Sequence, residues 1–304
     1  MWRKTFSGRW WKIHQMKNRP GIGADGGLAE RPAANSPATR HSLRAELVAL
    51  GLPAGGIVLV HSSLRAMGYV CGGPVAVVQA LLDVLTPDGT LVVPSQTPQN
   101  RDPARWVRQV PADWWPTIRE HLPAFDPAVH DCRAMGMVAE TVRTWPGAVR
   151  SQHPQTSFAA VGPRAAELMA RHDLDSELGE RSPLAALDAT DAHTLLLGVG
   201  YDRCTAFHLA EYRLPRPPEP HRNACVVLGA DGQRQWRTYV GARLDAGPFS
   251  ELGRDFERDS SSVATGPVGR AVARLLPIRP AVAYARAWLT LRCPDGDSSS
   301  GPGN

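Results

Sequence analysis

The sequence predicts a single α/β domain with a mixed central sheet flanked by helices, plus a Pro/Trp-rich insertion and a C-terminal hairpin. Three observations predict it. Short continuous apolar runs, such as Ile57-Val58-Leu59-Val60 and Leu195-Leu196-Leu197, read as strands buried on both faces. The order strand, Gly-rich loop, Pro-led helix, turn, strand over residues 56–93 has βαβ spacing. Two strand-like segments flank Ala230-Asp231-Gly232, a hairpin signal.

The elements follow in order. Residues 1–38 are rich in Gly, Pro and Ala, lack periodicity and are expected to be a disordered arm. One globular domain is expected over 39–293, with a Ser/Gly-rich flexible tail over 294–304. Ser42 is placed to cap a helix whose Leu43, Leu47 and Leu50 share one face, and Gly51 ends it. Gly56–His61 is the first buried strand, Pro74–Leu85 a helix with proline in its first turn, and Thr90–Val93 the second strand. Residues 94–131 carry seven prolines together with Trp106, Trp114 and Trp115. That aromatic content argues for a packed lid or substrate-binding insertion rather than disorder. Helices are then expected over Met135–Thr144, Pro163–Arg171 and Thr205–Arg213, and strands over Ser157–Val161 and His193–Val199. The hairpin comprises Arg222–Leu228 and Gln233–Val240, and helices near 248–258 and 267–275 close the domain.

Composition excludes several classes. Of 304 residues, 43% are hydrophobic and 21% charged, as in an ordinary globular protein, and no apolar run approaches membrane-spanning length. The N-terminal twenty residues are basic and hold three Trp but lack an apolar core, so they are not read as a secretory signal. Five cysteines without a CxxC pair fit a reducing cytoplasm better than a disulfide framework or zinc site, and no other spacing suggests a metal. The net charge of +5 sits largely in the N-terminal segment and accompanies no nucleic-acid motif. The expected partners are therefore small molecules, not nucleic acid or membrane, acting on a monomer or homodimer.

Three segments carry candidate chemistry. The loop from His61, Ser62, Ser63 and Arg65 through Gly68 and Val70 to Gly72 and Gly73 joins a strand end to a helix start. Backbone N–H groups there suit a pyrophosphate, although a plain strand-to-helix turn has the same spacing. His153-Pro154 precedes a strand, where an imidazole serves as base, ligand contact or loop hydrogen-bonder. His208 and Glu211, three apart, share a helix face, so the carboxylate can set the imidazole's tautomer, or the two form a mere surface pair. Ser62 and Ser63 lack the G-x-S-x-G elbow of a serine hydrolase.

Together these segments resemble the aminoglycoside 3-N-acetyltransferase family. The resemblance runs from about residue 42 to 292, through VHSSLRAMGYVCGG, PAFDPAV, GAVRSQHPQTSFAAVG, SPLAAL and LLLGVGYDRCTAFHLAE in that order. It implies a cytoplasmic acyltransferase that moves an acetyl group from acetyl-CoA to the 3-amino group of 2-deoxystreptamine, an antibiotic-resistance activity needing no metal. By resemblance, His208 is the catalytic base supported by Glu211. The 61–73 loop, Ser95, His153 and Ser157 hold the cofactor, and Asp126 and Tyr201 lie near the amine. The family usually has a carboxylate, one residue, then Asp after the hairpin, where this chain has Gly241 and Arg243. Asp245, two residues on, is the remaining candidate acid. The departure leaves two alternatives: acetylation of another amine, or a non-catalytic CoA-binding protein.

Overall fold

The computed structural model describes residues 36–292. The expected arm and tail lie outside that range, except that Ala38 forms a β-bridge with Val70 and so is already part of the fold. In chain order the elements are α1 (Arg40–Ala49), β1 (Ile57–Ser62), α2 (Gly73–Leu85), β2 (Thr90–Pro94), α3 (Trp115–His121), α4 (Met137–Arg143), β3 (Val149–Arg150) and β4 (Phe158–Val161). Then come α5 (Ala165–Met169), α6 (Pro183–Asp188), β5 (His193–Leu197), α7 (Phe207–Tyr212), β6 (Pro220–Leu228), β7 (Arg234–Ala242), α8 (Phe249–Asp259), β8 (Ala264–Val268), β9 (Ala271–Pro277) and α9 (Ile278–Arg292).

Seven strands form a mixed sheet in the order β3-β4-β2-β1-β5-β9-β8. The three central strands are parallel, β1 lying between β2 and β5. The wings are antiparallel. Alternate residues of the central strands feed two cores. Val58, Val60, Leu91, Val93, Leu195 and Leu197 face a layer with residues from α1, α2 and α4. Leu59, Val92, Phe158 and Leu196 face the other, with α5 to α9. This two-sided burial is why the strands read as unbroken apolar runs.

Some expectations shift by a turn. Thr39, not Ser42, caps α1, and the two hydroxyls form a reciprocal capping box. The expected helix at 267–275 is instead the β8–β9 hairpin. Gly269 holds φ 58 at its turn, a backbone geometry that excludes a continuing helix, and β9 buries Ala271, Ala273 and Leu275 alternately.

The Pro/Trp insertion is ordered, but it packs on the β6–β7 hairpin. Asn100 pairs with the Val226 backbone through both side-chain atoms, at 2.9 and 3.2 Å, in place of a strand. Phe125 N–H also donates to the Val226 carbonyl. Asp102 caps a 3-10 turn and holds Arg119 at 2.9 Å. Arg150 ties the insertion to the sheet. Its guanidinium donates to the Ser95 carbonyl at 2.5 Å, to both Ser95 and Ser157 hydroxyls at 3.1 Å, and to the carbonyls of Pro127 and His130. It also lies over the Phe125 ring. Burial draws its pKa down to about 10, so it is still a cation.

Replacing Arg150 with Met strands these acceptors. Arg150→Met is expected to cost about 3 kcal/mol, seen as a melting point lower by roughly 10 °C. Limited proteolysis should then cut within residues 98–131 first.

Candidate functional site

Because β2 and β5 leave β1 on opposite sides, the chain opens a crevice at the carboxyl ends of the central strands. A cavity of about 720 Å³ occupies that place. Its wall joins His61, Ser62, Ser63 and Arg65 from the end of β1 to Pro94 from β2, Val199 after β5, and His208 on α7. Met135 and Met137 at the start of α4 complete an apolar side, and Arg65 and Arg203 bring two cations to it.

His208 stands on a short helix whose position is set by burial of Phe207, Leu209 and Ala210. Glu211, one turn on, lies on the same face and is nearly sealed from solvent. Its Oε2 meets His208 Nδ1 at 2.5 Å, and its Oε1 accepts the Asp245 backbone N–H at 2.8 Å. A carboxylate accepts only, so Nδ1 carries the proton and Nε2 presents a lone pair. Phe249 packs against the imidazole, ring centroids 4.7 Å apart.

His61 is also in the cavity wall but buried. Its Nε2 finds no partner among the described residues, and burial, with the nearby His208, pulls its pKa down to about 3. It is neutral at physiological pH.

The other anticipated residues fall outside this cavity. Gly72 precedes α2 in a left-handed conformation, and Gly73 begins the helix; neither lines the wall, nor do Gly68 and Val70. The glycine-rich segment therefore turns the chain into α2 behind the site. Ser95 and Ser157 are fully buried and bonded to each other and to Arg150. His153 is fully buried as well. Its Nδ1 accepts the N–H groups of Gln155 and Thr156, and its Nε2 meets the Leu174 carbonyl. It supports the loop bearing Thr156, which does reach the cavity. Asp126 accepts from Ala128 N–H within its own turn. The Tyr201 hydroxyl donates to the half-buried Glu257 of α8 at 3.0 Å. The Asp245 carboxylate accepts from Gly247 N–H, so this residue serves Glu211 through its backbone. Arg243 is 63% exposed and pairs with Glu219 at 3.5 Å. Sequence reasoning passed over Met135, Met137, Arg203 and Thr205, which line the cavity from 3-10 turns and helix starts, where spacing does not mark a residue as part of a site. Among the described residues no group of three metal-ligating side chains occurs, and no helix is long and apolar enough to cross a membrane.

Three histidines are held neutral by desolvation: His61 and His153, buried, with pKa pulled down to about 3, and half-buried His172, to about 4. The unfolded chain binds their protons at ordinary histidine pKa, so protonation favours unfolding. Stability is complete above about pH 6.5 and declines as pH falls toward the folded values, by roughly 2 kcal/mol per histidine at pH 5. Urea midpoints measured from pH 7.5 to 5 should fall steeply, and a His172→Asn variant should show a shallower fall.

The aminoglycoside 3-N-acetyltransferase family model matches residues 59–290. The SPbeta prophage-derived aminoglycoside N(3')-acetyltransferase-like protein YokD of Bacillus subtilis is 41% identical over 254 residues, covering 83% of this chain and 92% of that one. Its crystal structure superposes with a TM-score of 0.81 at 40% identity, over 84% of this chain and 94% of that one. Aminoglycoside N(3)-acetyltransferase III of Pseudomonas aeruginosa is 37% identical, over 88% of this chain and 98% of that one. A structure titled AAC-IIIb binary with CoASH superposes with a TM-score of 0.75 at 32% identity, over 84% of this chain and 98% of that one. The chain belongs to the aminoglycoside 3-N-acetyltransferase family.

Proposed function

We propose that this family member transfers the acetyl group of acetyl-CoA to the 3-amino group of 2-deoxystreptamine aminoglycosides, with His208 as general base. The observation that carries the reading is the His208–Glu211 pair, its free imidazole nitrogen set at the wall of the cavity. An aliphatic amine reaches the site as an ammonium and must lose a proton before it is a nucleophile. His208 Nε2 takes that proton, and Glu211 stabilises the imidazolium that results. Acetyl-CoA supplies the thioester carbonyl to which the amine nitrogen bonds as the carbon–sulfur bond breaks.

The cavity's residues suit this donor. The apolar stretch of Leu64, Met135, Ala139 and Leu178 suits the pantetheine arm, and Arg65 and Arg203 suit its phosphates. The Ser62 hydroxyl is a polar group on the wall suited to the thioester oxygen, and His61 beside it is neutral. Ser63 N–H is already committed to the Leu197 carbonyl and does not serve.

A second reading, acetylation of a less cationic amine, draws on the hairpin edge. Burial first, and then the charges of Arg105, Arg243 and Arg101, hold down the pKa of His221, so three cations stand near this edge. A non-catalytic CoA binder is disfavoured by an imidazole whose tautomer is set and whose other nitrogen is left open.

Thiol release from acetyl-CoA across a panel of 2-deoxystreptamine aminoglycosides separates these readings. The expected result is aminoglycoside-dependent release that falls by at least about a hundredfold in His208→Ala, with acetyl-CoA binding retained by calorimetry. Glu211→Gln should fall between the two. Release with other amines alone would select the second reading, and bound acetyl-CoA without release to any amine would defeat both.

A further inference from the structure

Glu177 lies in the irregular chain between α5 and α6 and is only 8% exposed. Two groups converge on its Oε1: the Tyr239 hydroxyl, 2.9 Å from it and also 2.9 Å from Gln155 Oε1, and Asn223 Nδ2 at 3.1 Å. Both groups stand on one face of the β6–β7 hairpin, where Asn223 and Tyr239 are paired across the strands. No donor among the described residues reaches Oε2. That oxygen is turned toward Gly241, 2.7 Å from where a Cβ would sit, so the missing side chain of Gly241 is what leaves room for it. The next residue, Leu178, lines the cavity, and Arg101 and then His208 are the cationic groups near enough to act on the Glu177 carboxylate, which lies just behind that wall. Thr156, also on the cavity wall, donates its hydroxyl to the Glu177 backbone carbonyl and holds this segment against the site.

We infer that Glu177 is the anionic anchor of the acceptor subsite, its open Oε2 receiving an ammonium group of the amine substrate. The inference rests on the acetyltransferase reading above. A buried carboxylate with its donors gathered on one oxygen and none on the other is incomplete until a donor arrives. A cation fits it better than a neutral donor, since burial pushes the Glu177 pKa up and an adjacent ammonium returns it to the ionised form. Tyr239 and Asn223 fix the carboxylate, so little order is lost on binding. The hairpin thereby contributes to the acceptor site by orienting an acid from another segment. Position 241 itself supplies only space.

The experiment compares wild type with Glu177→Gln and Gly241→Ala, using gentamicin as acceptor and acetyl-CoA as donor. Gln keeps an oxygen for Tyr239 and Asn223, and unchanged melting points would certify both folds. The KM for gentamicin is expected to rise roughly ten- to a hundredfold in Glu177→Gln, with kcat and the KM for acetyl-CoA within about twofold of wild type. Gly241→Ala, which crowds Oε2, should raise the same KM in the same direction. Calorimetry in the presence of CoA should show gentamicin affinity falling in parallel. Gentamicin KM and affinity unchanged in Glu177→Gln, with active wild type, would overturn this inference and leave the acetyltransferase reading standing. Wild type that neither binds nor acetylates gentamicin would overturn the aminoglycoside reading and this inference with it.

Discussion

A carboxylate shut away from water and given two donors on opposite sides sets the geometry of the site. Glu211 receives the His208 imidazole on one oxygen and the Asp245 backbone N–H on the other. Its desolvation is tolerable only while both are in place. The first contact sets which imidazole nitrogen is free. The second links α7 to the loop after the hairpin, where Ala246 joins the cavity wall. Loss of the carboxylate would leave the imidazole free to change tautomer and release the loop behind it.

The sheet determines where that pair can stand. With β1 between parallel neighbours that lead away in opposite directions, the strand ends leave a crevice no side chain fills. His61 and His208 meet there from elements far apart in the chain. The insertion begins at the cavity wall, with Pro94 and Gln96. It packs on the hairpin and is secured to the sheet by Arg150, whose buried charge spans Ser95, Ser157 and the carbonyls of Pro127 and His130. Support for the hairpin matters because Tyr239 and Asn223 project from it toward Glu177.

The parallel centre of the fold is legible in the sequence because two-sided burial writes itself as unbroken apolar runs at β1, β2 and β5. The β8–β9 hairpin is less so. Residues 264–277 mix small, charged and apolar side chains, and only Gly269 marks the reversal. At the site, His208 and Glu211 are legible because helical spacing places them together. His153 and Tyr201 stand beside the right motifs, yet their polar atoms are consumed by other protein groups. The spacing of a motif shows that residues are near one another and leaves undecided which atoms remain free. Glu177 is the reverse case. It sits in a segment without periodicity, and its relation to Gly241 exists only across sixty-four residues of chain, in three dimensions.

The central claim is that Glu211 holds His208 with its proton on Nδ1 and a free lone pair on Nε2. Nitrogen NMR of the imidazole side chains, with His208 assigned by comparison with a His208→Gln sample, reads that tautomer directly. The account predicts, for the neutral ring, a protonated Nδ1 and an unprotonated Nε2, with the preference weakened in Glu211→Gln. A neutral ring protonated on Nε2, or a tautomer ratio indifferent to Glu211, would contradict it.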